Sequence, residues 1–474
     1  MKFFIKIFLV LLIFISNLNL LKAQPITWQR VYPSAQPDFG RDGIQTLDGG
    51  FIIVAINQSP KGTAKLLKLN RYGNEDWTRI IDSMGTVVSI QQSTDSNFII
   101  AGDGNNKGII IKTNNLGNLI WKKNYSINNE LAGFTKVKLL SNNDYLLCGV
   151  ISFPPKAFLV RTDSSGGVVW QRSFSNGPNN AFASDIIKSK DDHIYFTGFS
   201  TVSGHPKTII GKTSFTGDSL WIKSYGSEGK GDAQSSISII PESNTELFLT
   251  GYYSDFYSSE AHFSKIDSSG DLIFQNVLPQ TNESNSMCKT TAGNFAIAGG
   301  IATTSDDILF LLLNRNGDVL SRKIFNASGI EGDFSESISE TNDRGFIITG
   351  YTSFLSVSGQ DNNIYVIKTD SIGNAPVSVQ NMNNGIPATF KLHQNFPNPF
   401  NSSTVIKFEV SNREYLHMKI YDVTGKNINV TTSKYYNPGV YEISFDGSNF
   451  ASGIYFYKLS SENYTETKKM FQTK

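Results

Sequence analysis

Residues 98–124 read FIIAGDGNNKGIIIKTNNLGNLIWKKN. Two runs, Phe98 to Gly102 and Gly108 to Thr113, are apolar at almost every position, and a tryptophan-bearing run, Leu119 to Asn124, follows the turn NNLGN. With the semi-polar run Val87 to Gln91 upstream, the stretch divides into four short segments rich in β-branched and aromatic residues. None has a 3.6-residue period, so strands are favoured over helices. Strands apolar at successive positions need cover on both faces. The turn has an Asx at its first position and a glycine at a position needing positive φ, which describes a type I turn closed by a glycine bulge.

The pattern recurs. NRYGN, NNLGN, DSSGG, SFTGD, DSSGD, NRNGD and DSIGN place their glycines at Gly73, Gly117, Gly166, Gly217, Gly270, Gly317 and Gly373, with spacings of 44, 49, 51, 53, 47 and 56 residues. A second landmark keeps the same period: apolar runs open at Phe51, Phe98, Tyr145, Ile194, Leu247, Phe295 and Phe346, and four residues later stand Ala55, Gly102, Gly149, Gly198, Gly251, Gly299 and Gly350. Four-stranded units repeating near every fifty residues predict a β-propeller. The second glycine is expected where neighbouring blades approach most closely.

The tryptophans indicate how the ring closes. Trp77, Trp121, Trp170 and Trp221 each lie four residues after a turn glycine, and Phe274 takes that place in the fifth copy. Trp28 has the same neighbourhood without a preceding turn, whereas the seventh turn is followed by Ala375-Pro376-Val377. Thr27 to Tyr32 is therefore predicted as the missing outer strand of the last blade, closing a seven-bladed propeller over residues 24–374. Six or eight blades are the alternatives if one copy is degenerate. The tryptophan series reads as packing between outer strands in preference to a sugar-stacking array.

Residues 1–23 have a basic start, an apolar run from Ile7 to Ile15 and a small-residue end at Ala23, the plan of a secretory signal peptide cleaved before Gln24. The run is short for a membrane anchor, the alternative reading. Loss of Lys2, Lys6 and Lys22 takes the formal charge from +1 to −2, which offers no field for nucleic acid or an anionic membrane. No integral membrane segment is expected after signal removal. Cys148 and Cys288, in apolar runs, read as buried free thiols.

Periodicity stops after the seventh copy, and residues 375–389 have the amide, Gly and Pro content of a linker. Beyond it, strand-like runs at Thr404 to Val410, Leu416 to Asp422, Tyr441 to Phe445, Ile454 to Leu459 and Thr465 to Phe471, separated by turn signals, predict a small β-sandwich over residues 390–474. FKLHQNFPNPFNSSTVIKFEV, MKIYDVTGKNI, GVYEISFDGSNFASGIYFYKL and KKMFQ, in this order, resemble the C-terminal sorting domain of proteins exported by the type IX secretion system of Bacteroidota. The residues carrying the resemblance are Asn395, Pro397, Asn398, Pro399, Phe400, Asn401, Tyr421, Asp422, Gly425, Asp446, Gly447, Ser452, Gly453, Tyr455, Lys469 and Met470. Phe445 departs from the family, whose members often carry tryptophan there. The resemblance implies an immunoglobulin-like domain read by the translocon and removed by a surface sortase, with the cargo released or attached to surface lipopolysaccharide. The repeats resemble, in architecture only, those of secreted bacterial propeller-like proteins.

Catalytic motifs are sparse. His193, His205, His262, His393 and His417 show no metal-ligand spacing, and there is no Gly-x-Ser-x-Gly elbow, HExxH or phosphate-binding glycine loop. Acidic turns such as Asp267 to Asp271 offer too few oxygens for calcium and read as hairpin turns. Their spacing also differs from the Asp-boxes of sialidases. No cofactor, metal or catalytic residue is assigned. The expected function is a secreted or cell-surface binding or adhesion module, with a glycan or protein ligand held by loops at one end of the ring. The alternative is a glycan hydrolase or lyase whose groups converge in the central channel.

Overall fold

The computed structural model describes residues 25–473 except 35, 59–62, 83, 128–129, 153, 176–179, 203–204, 226–234, 242–245, 255–258, 303–304, 328–331, 357–358, 377–379, 382–389, 412–413, 437–438 and 463. The signal peptide, its cleavage point and most of the linker lie outside the described residues. The chain divides into two compact units, Met1–Asn381 and Met382–Lys474.

The first unit is a seven-bladed β-propeller of antiparallel sheets. Its inner strands are Asp38–Gln45, Thr86–Gln92, Ala132–Leu139, Asn180–Lys188, Ser235–Pro241, Glu283–Lys289 and Asp333–Glu340, each packed against the next and the last against the first. In the last blade Trp28–Tyr32 pairs antiparallel with Gly359–Thr369, Trp28 opposite Lys368 and Tyr32 opposite Ile364. The closing strand is therefore the one the orphan tryptophan marked. One strand was not foreseen: Gln380–Asn381, within the expected linker, pairs parallel with Arg30 and Val31 and covers the outer edge of the seam.

Hydrophobic clusters straddle neighbouring blades, which is why the strands are apolar on both faces. One joins Ile52, Val54 and Leu66 of blade 1 to Ile90, Phe98 and Ile111 of blade 2; another joins Leu146, Cys148 and Leu159 of blade 3 to Ile186, Phe196 and Ile209 of blade 4. A blade alone would expose such a face to water, at about 25 cal/mol per Å2 of apolar surface.

The turn glycines have a second duty. Asn70 Oδ1 accepts from the amides of Tyr72 (2.9 Å) and Asn74 (3.1 Å), and Gly73 sits at φ 77°, the expected Asx turn with glycine bulge. A Cβ on Gly73 would stand 2.8 Å from the Trp28 indole of the preceding blade. The relation repeats for Gly117 with Trp77, Gly166 with Trp121, Gly217 with Trp170 and Gly270 with Trp221. Trp28 and Trp170 donate their indole N–H to the next blade's turn carbonyls, Arg71 O (3.2 Å) and Phe215 O (3.1 Å). Four residues after the tryptophan, Tyr32 and Tyr125 donate to Gly73 O (2.7 Å) and Gly166 O (2.8 Å). Thus the tryptophans pack between blades, as expected.

The second glycine landmark has a further cause besides the expected approach of blades. A Cβ on Gly102, Gly149, Gly198, Gly299 or Gly350 would meet a carbonyl of its own blade's inner strand, at 2.1 Å from Thr86 O, 1.9 Å from Gly133 O and 1.8 Å from Phe182 O in the first three. Each such glycine lies opposite the residue just before a β-bulge, and every inner strand carries that bulge at the equivalent position. The glycine makes room for the bulge, and its backbone also meets the next blade: Ser335 Oγ donates to Gly299 O (3.0 Å) and Ser284 Oγ to Gly251 O (2.6 Å).

The second unit packs Lys391–Leu392, Ser403–Val410 and Gly439–Asp446 as one sheet and Asn427–Tyr436, Glu414–Tyr421, Gly453–Ser460 and Thr465–Gln472 as the other. Alternating residues Ile406, Phe408, Val410, Leu416, Met418, Ile420, Tyr457 and Leu459 fill the interior between them. The strand Asn427–Tyr436 was not expected from its sequence.

Candidate functional site

The proline-rich block is built into the C-terminal sandwich and ties its beginning to its end. Asn395, buried, donates from Nδ2 to Thr404 Oγ1 (2.9 Å) and Pro397 O (3.1 Å), and its backbone N–H donates to the Tyr457 hydroxyl (2.8 Å). Asn398 Oδ1 accepts from Phe471 N (2.8 Å), while Phe400 N donates to Phe471 O (2.9 Å) and Thr473 N to Phe400 O (2.8 Å). Phe400 is buried edge-on against Phe445. A Cβ on Gly447 would strike Gln472 Oε1 at 2.7 Å and the Phe400 ring at 2.9 Å.

Other motif residues shape turns. Asp422 Oδ1 accepts from Thr424 N (2.9 Å) and Lys426 N (3.0 Å) around Gly425 at φ 81°; the Thr424 hydroxyl first and these amides next hold its carboxyl below the usual range. Asp446 accepts from Ser448 in the same manner. Tyr455 donates to Ala451 O (2.8 Å), and Met470 lies in the core. Tyr421 is half-buried, whereas Pro397, Pro399, Asn401, Ser452, Gly453, Lys469 and the neighbouring Phe396 are exposed.

In the propeller, chemistry-bearing side chains converge on the central channel. In six blades the bulge turns the extra residue of the inner strand inward, so that Arg41, Val88, Thr135, Ser184, Asn285 and Glu336 line a cavity of about 190 Å3. The residue after the bulge clasps the next blade. Asp42 Oδ2 accepts from Ser89 Oγ (3.0 Å) and Ile90 N (3.1 Å), and Asp185 Oδ2 from Ser238 Oγ (3.3 Å) and Ile239 N (3.2 Å). Ser286 and Ser337 accept in the same way from Ile338 N (3.3 Å) and Gly43 N (3.2 Å), the last across the closing seam.

Each clasp acid also has a cation, and two of the inward residues pair with one another. Lys136 Nζ lies 3.6 Å from Asp42 and Lys138 Nζ 3.4 Å from Asp185, and Arg41 pairs with Glu336 at 2.5 Å. Burial acts to lower the Lys136 pKa, but the Asp42 and Asp185 carboxylates outweigh it and hold the ammonium above its usual value. Burial raises Glu336 despite Arg41, and raises Glu283 on the neighbouring blade despite its hydrogen bond with Asn285.

Local motif searches could not find these residues, because Arg41 and Glu336 meet only when the ring closes. Among the described residues no group of three or more His, Cys, Asp or Glu side chains is placed to hold a metal ion. Cys148 is buried and Cys288 half-buried, both unbridged, and burial pushes both thiols up to about 12.

The first unit thus defines an all-β propeller with a polar channel, and the second a small sandwich locked by its proline block. Residues 394–472 match the family model of the secretion system C-terminal sorting domain, so the C-terminal unit is a sorting domain and the protein is exported by type IX secretion to the cell surface or the medium. No curated protein sequence matches the chain.

Among solved structures, the chain is similar to PorZ, a surface component of the type IX secretion system of Porphyromonas gingivalis, at 12% identity and a TM-score of 0.39, covering 90% of this chain and 58% of PorZ. It is also similar to a Dyadobacter fermentans protein of unknown function, at 9% identity and 0.44, covering 72% and 98% of the two chains. A third likeness is to Drosophila Plexin A, solved in complex with Semaphorin 1b, at 7% and 0.43, covering 73% and 87%. Among the described residues no helix is long and apolar enough to cross a membrane.

Proposed function

We propose that the propeller is a non-catalytic binding or adhesion module, delivered by its sorting domain after an N-terminal signal peptide is removed between Ala23 and Gln24. The observation that carries this reading is the commitment of the channel's polar groups: Asp42 and Asp185 accept from the next blade and face lysines, and Arg41 holds Glu336. Carboxylates engaged in this way hold the ring together and are poorly placed to exchange protons with a substrate. In this proposal the sandwich is immunoglobulin-like and is recognised by the translocon and a surface sortase.

A specific observation favours a second reading. Burial raises the carboxyl groups of both Glu283 and Glu336, and Glu283 adds to the rise at Glu336. Such a pair suits acid–base work on a glycosidic bond. The test is to incubate the purified mature protein with a panel of oligosaccharides and measure both retention and new reducing ends. Retention without products is expected. Product formation that disappears in Glu283→Gln would replace the binding reading by the hydrolase.

A further inference from the structure

Above the polar cavity, half-buried aromatic rings stand on opposite sides of the ring. Phe39 and Phe334 lie two residues before the inward-turned Arg41 and Glu336, and side chains two apart on a strand share a face. They are therefore on the channel side, one layer nearer the mouth. Tyr351, directly opposite Phe334 in the sheet, lies between them: its ring stacks on Phe334 at 5.0 Å and meets Phe39 edge-on at 4.9 Å. Its phenol is raised by burial first, with Glu336 and Glu283 adding and Arg41 opposing, so its surroundings are those of the cavity.

Across the ring, in blade 4, Phe182 occupies the same position relative to Ser184 and stacks on Phe199 at 4.4 Å. In the five-ring set the residues are all only partly buried. Among the described residues the corresponding cross-strand pairs of blades 2, 3, 5 and 6 hold no second aromatic pair: they are Thr86 with Asp103, Gly133 with Val150, Ser235 with Tyr252 and Glu283 with Gly300.

The floor charges pair, Arg41 with Glu336, Lys136 with Asp42 and Lys138 with Asp185, while Glu283 stands one layer nearer the mouth. That gives an anionic ligand no attraction. Planar hydrogen-bonding groups line the floor, the Asn285 amide, which also donates to Ser335 O (2.9 Å), and the Arg41–Glu336 pair, beside the hydroxyls of Ser184 and of Thr135, the latter donating to Ala183 O (2.7 Å). The cavity, about 190 Å3, is smaller than the roughly 300–1,000 Å3 of sites that enclose a drug-sized molecule. It takes one small ring, with the rest of the ligand lying across the mouth.

We infer that the channel mouth binds a neutral glycan. One pyranose enters the polar floor, and flanking sugars lay their apolar faces on Phe334 and Tyr351 at one side and on Phe182 at the other. Aromatic faces with planar amide, carboxylate and guanidinium groups below suit a ligand that alternates C–H faces with hydroxyl edges, whereas a peptide would call for a sheet edge or a deep apolar groove. This rests on the binding-module reading above and names its ligand class and its place.

The test uses the full mature chain with neutral, acidic and amino oligosaccharides of defined structure, followed by titration calorimetry. A neutral oligosaccharide should bind, and Phe334→Ala and Phe182→Ala should each weaken it about tenfold, the loss expected for one stacked ring with its buried area. Tyr351→Phe, which keeps the ring and removes only the hydroxyl, should weaken binding less and guards against misfolding of the alanine variants. Failure of every neutral glycan to bind, or binding of acidic ones or peptides alone, overturns the inference. Glycan binding unmoved by all three substitutions also overturns it, although the binding-module reading then stands. Binding accompanied by new reducing ends supports the site and refutes the non-catalytic reading.

Discussion

Replacing Gly73 by alanine tests the contact between a turn glycine and the preceding blade's tryptophan, with Gly49→Ala as an internal control. Both glycines have a positive φ, 77° and 81°, so either alanine incurs the left-handed penalty of about 1–2 kcal/mol. The control goes no further, since a Cβ at Gly49 meets nothing within 4 Å. At Gly73 the new carbon stands 2.8, 2.9 and 3.0 Å from three atoms of Trp28, whose ring is buried against Phe51. Overpacking of that kind adds about 1–3 kcal/mol. Unfolding entropy near 2.1 cal/mol/K per residue over about 350 residues makes each kcal/mol worth roughly 1.4 °C. Scanning fluorimetry of the mature protein should thus show Gly49→Ala lowering Tm by about 1–3 °C and Gly73→Ala by about 3–7 °C. In a Trp28→Ala background the extra cost of Gly73→Ala should vanish. Equal losses for the two glycines, or an extra cost that survives removal of the indole, would refute the clasp.

Deleting residues 25–32 should cost more than any point change, because it opens the ring and bares the edge of Gly359–Thr369; a melt matching that of the intact protein would contradict the closure. Acid should weaken the propeller in a defined window. Burial opposes ionisation of Asp95, but Ser93 and Lys112 outweigh it and bring the group down to about 2, so its stabilisation is complete above the usual carboxylate pKa and is lost as pH falls toward 2. Asp95→Asn should flatten that limb of a Tm-against-pH curve. Asp333 runs the other way: burial raises it to about 6, so stability present below the usual carboxylate pKa declines as pH rises through 6, and Asp333→Asn should remove this decline. In the sorting domain Phe400→Ala should destabilise the sandwich by about 3–5 kcal/mol and leave the protein inside the cell envelope, as fractionation would show.

Much of the ring was legible because its determinants are local and repeated: an Asx, a glycine three residues on, and a tryptophan four beyond. The closing strand could be found as a tryptophan without a turn and a turn without a tryptophan. The bulges were hidden, since an extra residue in a semi-polar strand such as DFGRDGIQ breaks alternation without leaving a motif. That concealed the channel lining and the reason a glycine stands opposite six of the seven bulges. Asn427–Tyr436 was missed for a related reason: NINVTTSKYY is an edge strand with polar residues dominating its run. Arg41 and Glu336, 295 residues apart, form a pair that only closure brings together.

The strand Trp28–Tyr32 lies between Gly359–Thr369 and Gln380–Asn381, so the earliest described strand is enclosed by the latest segments of the same unit. A chain emerging N-terminus first cannot complete this seam until the whole ring has cleared the exit. Until then the first strand is a loose flap, and the seventh blade has no outer border. Sealing the circle therefore needs the last blade in full, and a molecule truncated within it should stay unfastened and open to proteolysis.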